Sequence, residues 1–254
     1  MTALAGLIMA AGACGAAPEA PAPAPASEPA SEPASKDKGP AEGAGPAPKT
    51  ARAETQHTAP VVVMLGDSLT AGFGLAQADA LPAQLERTLA ARGVAAQFVN
   101  AGVSGDTTGG GLERYDWSVK GAGADLLVVA LGANDYLQGK SVAAARENLR
   151  KILQRARADG LPVALIGLAP RSNGAVSQRD AAFADIYPAL AVEFSAPLYP
   201  ALLSGVRDQP SLMQSDGLHP TRDGVATIAA AMAGFLETEI NALPERRAAP
   251  GKEQ

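Results

Sequence analysis

Among its 254 residues the sequence has a single cysteine, Cys14, so no disulfide can form within the chain. Histidine is nearly as scarce, with only His57 and His219. Without a histidine pair, and with no cysteine beyond Cys14, the chain offers no ligand set for a transition metal. A phosphate-cradling loop is also missing, because Gly109-Gly110-Gly111 is not followed by Lys-Ser or Lys-Thr. Basic runs are absent and the formal net charge is −5, which argues against a nucleic-acid surface. Aromatic residues make up only 4% of the chain, few for a surface that stacks on sugars. No apolar run reaches the roughly 20 residues that span a bilayer. The G-x-S-x-G elbow of the usual α/β-hydrolases does not occur either.

What is present divides the chain into parts. The first 60 residues hold 10 of the 20 prolines and no aromatic residue. Such a segment cannot bury enough apolar surface to offset the entropy of ordering it. PAPAPASEPASEPAS, Pro21 to Ser35, reads as an extended, partly polyproline linker. Residues 1–14 read as an export signal, 15–59 as a disordered Pro/Ala-rich linker, 60–243 as one globular domain and 244–254 as a disordered polar tail. Ala3 to Ala13 is apolar, uncharged and of signal-peptide length. The positive stretch that opens such signals is missing, and a start further upstream would supply it. Ala11-Gly12-Ala13-Cys14 resembles a bacterial lipobox, with Ala11 where leucine is usual and Cys14 as lipid attachment site. An ordinary secretory signal that happens to precede a cysteine is the alternative. Both place the protein outside the cytoplasm, in the periplasm or tethered as a lipoprotein in the cell envelope.

Within the domain, five runs read as strands: Val61–Leu65, Ala96–Val99, Asp125–Leu131, Val163–Ala169 and Pro197–Tyr199. Helical spacing marks Leu81–Arg92, Ser141–Ala158 and Thr221–Leu243. Gln178–Phe194 reads as a helix with a break near Pro188, and a short helix is expected over Leu112–Trp117 after a glycine-rich loop. Strands that are apolar throughout and alternate with helices define an α/β protein with a parallel sheet covered on both faces. In such sheets ligands bind beyond the carboxyl ends of the strands. Gly66-Asp67-Ser68, Asn100 to Thr108 and Gly132-Ala133-Asn134-Asp135 lie there.

Ser68 is either part of a helix cap or a nucleophile. A serine nucleophile needs a base, and His57 sits in the linker, so a histidine base can only be His219. Asp216, three residues earlier, could accept from its Nδ1 and fix the tautomer; two turn residues ahead of a capped helix are the alternative. Gly105 would let a substrate approach closely, and Asn134 is a good oxyanion donor; a turn glycine and an Asx cap are the alternatives. Ser104 is a rival hydroxyl without a strand-to-helix elbow. Asp67, Asp106 and Asp135 read as loop-holding carboxylates. Phe73, Leu75 and the stretch Arg171 to Val176 are candidates for an acyl-binding wall, with core packing the alternative for Phe73.

GDSLTAG with Ser68, AGVSGDTT with Gly105, GAND with Asn134 and DGLHP with Asp216 and His219 occur in this order. Together they resemble the SGNH (GDSL) hydrolase family. FADIYPALAVEFSAPLYP and LMQSDGLHPTRD are most similar to its arylesterase, thioesterase I and lysophospholipase group. The resemblance implies a three-layer α/β/α sandwich, flavodoxin-like, with a five-stranded parallel sheet. It implies a serine esterase with Ser68 as nucleophile, His219 as base and then acid, and Asp216 orienting His219. The N–H groups of Ser68 and Gly105 and the Asn134 side chain would form the oxyanion hole. No metal or organic cofactor is needed, and the substrate would be a small acyl ester or a lipid. An envelope carbohydrate O-deacetylase and a catalytically silent tethered interaction module are the two rival readings.

Overall fold

The computed structural model describes residues 59–169 and 176–244, all within one compact unit, Arg52–Gln254. The expected export signal with Cys14, and the linker and tail apart from Ala59 and Pro244, lie outside the described residues. Five strands, β1 (Val61–Gly66), β2 (Gln97–Gly102), β3 (Leu126–Ala130), β4 (Val163–Ile166) and β5 (Leu198–Tyr199), form one sheet in the order β2-β1-β3-β4-β5. Every pairing is parallel.

Along β1 successive side chains leave on opposite faces, and both faces are buried. Val62 and Met64 join a core with Leu81, Leu85 and Leu89 of helix α2 (Leu81–Ala91) and Ile228, Met232 and Leu236 of helix α8 (Arg222–Asn241). Val63 and Leu65 join the opposite core with Leu149, Ile152 and Leu153 of helix α5 (Val142–Ala158) and Leu190 of helix α7 (Ile186–Phe194). Three layers result, α/β/α. Because β1 lies between β2 and β3, the connections leaving β1 and β2 run in opposite directions across the sheet. The crevice beyond the ends of β1 and β3 is therefore the topological switch point.

Some elements differ from the expected ones for local reasons. The helix after β2, α3 (Thr108–Glu113), begins four residues early and contains all three glycines of the run. Close packing explains two of them: a Cβ on Gly111 would fall 2.2 Å from Leu131 Cδ1, and one on Gly110 would collide with Asp106 Oδ1. The break expected near Pro188 falls at Asp185, between α6 (Gln178–Ala184) and α7. Pro188 occupies the first turn of α7, where its missing N–H costs nothing, and its ring would clash with the Ala184 carbonyl of a continuous helix. Strand β4 stops at Ile166, and the next residue is a glycine because a Cβ on Gly167 would meet the Pro200 carbonyl oxygen at 2.0 Å.

Candidate active site

At the end of β1 the chain turns directly into helix α1 (Ser68–Ala71). Asp67 caps it, accepting from the Leu69 N–H at 3.0 Å, and Gly72 closes it in left-handed conformation (φ 82°). Ser68 thus stands on the first residue of a short helix at the mouth of the switch-point crevice. The cap comes from Asp67, so it does not occupy the Ser68 hydroxyl.

His219 arrives from the other end of the domain, on a loop closed by an antiparallel bridge between Met213 and Pro220. Its Nε2 lies 2.8 Å from Ser68 Oγ and its Nδ1 lies 2.7 Å from Asp216 Oδ2. Asp216 Oδ1 also accepts from the backbone N–H of Leu218 (2.8 Å) and of His219 (3.0 Å). The bond from the His219 ring, with these two backbone bonds, holds the Asp216 carboxyl down at about 2. A carboxylate so ionised only accepts, so Nδ1 carries the proton and Nε2 is left to accept from Ser68.

Helix α4 (Ala133–Leu137) follows β3 and carries Asn134 in its first turn. Asn134 Nδ2 donates to the Asp106 carbonyl at 2.8 Å; the amide has a second hydrogen. Gly105 has φ 83°, a value that favours glycine, and a Cβ there would point into open space. Ser68, Gly105, Asn134 and His219 line one cleft of about 320 Å³. Leu69, Leu137, Leu203, Met213 and Leu218 supply apolar walls. A larger hollow of about 870 Å³ lies at the opposite ends of the strands, around Val94, Asp125 and Pro162, and its described lining holds no hydroxyl–imidazole pair.

The three aspartates beside site residues hold the loops. Asp106 accepts from the Thr107 N–H at 3.0 Å and from Arg114 Nε at 2.7 Å. Asp135, almost fully buried, accepts from the N–H (2.8 Å) and hydroxyl (2.7 Å) of Thr108. Asp67, only 2% exposed, has its carboxyl raised to about 6 by burial, an effect that the Leu69 N–H and the nearby His219 partly oppose. Its folded-state value lies above the ordinary 3.8, so protonated Asp67 stabilises the fold fully below about pH 4. That contribution is lost as pH rises through about 6. Asp67→Asn is therefore expected to raise the melting temperature at pH 8 and to leave it unchanged at pH 4. An equal shift at both values would contradict the burial argument.

Of the expected acyl wall, Phe73 is in place. It is 49% exposed, so it is not core, and its ring lies 4.4 Å from the His219 ring. Leu75 packs instead against the core layer of α2 and α8. Residues 171–175 lie outside the described residues, and Val176 is exposed. Ser104 lines the cleft, but the imidazole addresses Ser68.

Two residues that support the site were not singled out in the sequence, although Gln214 lies within LMQSDGLHPTRD. Arg114 bonds Asp106 and the carbonyls of Ala101 (2.8 Å) and Gly66 (2.9 Å), joining the ends of β1 and β2 to the Gly105 loop. Gln214 lies in the His219 loop and donates to the carbonyls of Phe73 and Pro220.

A hydroxyl bonded to an imidazole that is oriented by a carboxylate, set at the switch point of a doubly wound sheet, defines a serine hydrolase. Residues 64–226 match the GDSL-like Lipase/Acylhydrolase family, and the chain belongs to that family. Among curated relatives, esterase TesA of Pseudomonas aeruginosa is 36% identical over 165 residues, 65% of this chain and 82% of the relative. The thioesterase 1/protease 1/lysophospholipase L1 of Escherichia coli K12 is 36% identical over 72% of this chain and 86% of its own length. Among solved structures, AlinE4, an SGNH-hydrolase family esterase, is 40% identical, with a TM-score of 0.59 over 72% of this chain and 97% of that one. The protein is a carboxylic ester hydrolase of the SGNH type.

Proposed function

We propose that the protein hydrolyses short- to medium-chain acyl esters, including aryl esters, thioesters and lysophospholipids, through an acyl-enzyme on Ser68. The observation that carries this reading is the continuous bond chain Ser68 Oγ–His219 Nε2 (2.8 Å) and His219 Nδ1–Asp216 Oδ2 (2.7 Å). Ser68 Oγ attacks the acyl carbonyl as its proton passes to Nε2. Asp216 stabilises the imidazolium that forms. The N–H groups of Ser68 and Gly105 and the second amide hydrogen of Asn134 receive the oxyanion. Collapse of the intermediate returns the proton from Nε2 to the leaving alcohol or thiol. Water, deprotonated by the same nitrogen, then releases the acid. The apolar walls and the modest cleft of about 320 Å³ favour an acyl chain of limited length. The names of the TesA and thioesterase 1 relatives agree with that substrate range.

The test is hydrolysis of p-nitrophenyl esters of increasing chain length by the full chain, with Ser68→Ala beside it. A serine-dependent maximum at short to medium length is expected. Absence of serine-dependent turnover at every length, from folded protein, would overturn the reading.

An envelope location belongs to the same proposal. Ala3 to Ala13 supplies the signal core and Cys14 the lipid attachment site, with the proline-rich stretch as tether. Labelled palmitate fed to expressing bacteria should enter the wild-type chain and not Cys14→Ser. Equal labelling of both would remove Cys14 from the proposal.

A further inference from the structure

Ser68, at the start of α1, and His219, on a loop, are separated by 151 positions in sequence. One residue grips both segments. The two hydrogens of the Gln214 side-chain amide go to the Phe73 carbonyl at 2.8 Å and the Pro220 carbonyl at 2.9 Å. The Gln214 backbone N–H donates to the carbonyl of His219 at 2.8 Å, and its carbonyl accepts from Gly217 at 2.9 Å. On the far side, the Phe73 N–H donates to the carbonyl of Ser68 itself at 3.1 Å. The nucleophile therefore connects to Gln214 through one intervening residue, and the base connects to it directly. Steric fit singles out the same side chain. A Cβ on Gly74, whose φ is 74°, would stand 2.5 Å from Gln214 Oε1, so a glycine there leaves room for the amide. The carbonyl that Gln214 holds belongs to Phe73, whose ring lies tilted by 32° against the His219 imidazole, with centroids 4.4 Å apart.

We propose that Gln214 is a positioning residue of the hydrolysis, a brace that sets the Ser68 Oγ–His219 Nε2 approach by tying the Phe73 carbonyl to the His219 loop. The inference rests on the assignment of Ser68 and His219 as the nucleophile–base pair. Gln214 touches no reacting atom and does not line the substrate cleft. Loss of the brace therefore slows proton transfer from Ser68 without weakening substrate binding.

Gln214→Met keeps length and volume and removes both donors. It is expected to lower kcat about 10- to 100-fold, because misplacing reacting groups by an ångström costs on that order. KM should stay within about twofold, the pattern of an interaction realised in the transition state. Gln214→Glu carries the same expectation: it keeps an acceptor oxygen beside Gly74 and offers no donor when ionised. It serves if the methionine variant does not fold, which circular dichroism reports. The deciding arm repeats the substitution in a His219→Ala background. A brace that acts through His219 has nothing left to align there, so the residual rate should not fall further. An equal fractional loss in both backgrounds marks a merely structural tie and overturns the inference. So does wild-type turnover by Gln214→Met while His219→Ala is disabled. Wild-type turnover by His219→Ala itself would instead bring down the assignment of the base, and the brace with it.

Discussion

Ser68→Ala is expected to lower kcat/KM for a p-nitrophenyl ester on the order of 10⁶-fold, as loss of a triad nucleophile does elsewhere. The fold should survive the change. Ser68 begins a helix of only four residues, where alanine is a good helix former, and the helix cap comes from Asp67 rather than from the serine. The only side-chain bond lost is the one to His219 Nε2. The backbone N–H groups proposed for the oxyanion hole remain, so a small residual rate above uncatalysed hydrolysis should persist. Kinetics together with thermal melting check both halves. A loss below tenfold would redirect attention to Ser104, the other hydroxyl on the cleft wall.

Asp216→Asn should cost about 10⁴-fold in kcat, through the identity of a proton rather than the shape of the site. The introduced amide can keep its oxygen on the N–H groups of Leu218 and His219, where Asp216 Oδ1 sits. Its NH₂ then faces Nδ1 and can only donate, which drives the imidazole proton to Nε2. An Nε2–H cannot accept the proton of Ser68. In the wild type the Asp216 carboxyl is held down at about 2, so it stays ionised across the physiological range and this wrong tautomer is suppressed. The measurement is kcat against pH for both proteins, with KM followed in parallel. A drop below about threefold would make the Asp216 bond a loop tie and not an orienting contact.

Much of this was legible in the sequence because it is encoded locally. Strands β1 and β3 are buried on both faces, so they read as unbroken apolar runs. Ser68, Gly105 and Asn134 each follow a strand of the sheet, and Asp216 and His219 share one turn, so their convergence followed from topology. What stayed hidden depends on partners distant in sequence. The glycines 109 to 111 look like a loop until Leu131 is found against Gly111 and Asp106 against Gly110. Leu75 lies beside Phe73 in sequence, but the two residues face core and cleft respectively. Arg114 resembles any surface arginine until the carbonyls of Gly66 and Ala101 are placed around it. For Gln214 the partner is Phe73, 141 residues away, and no spacing rule reaches so far.

The bond between Ser68 and His219 also orders events in time. Ser68 follows the first strand, while the His219 imidazole arrives after the fifth, just ahead of α8, which packs on α2. A chain that has built four strands of its sheet already carries Ser68 but is chemically silent. Ester turnover during refolding therefore reports the last closure of the molecule, and should lag behind the recovery of helical signal.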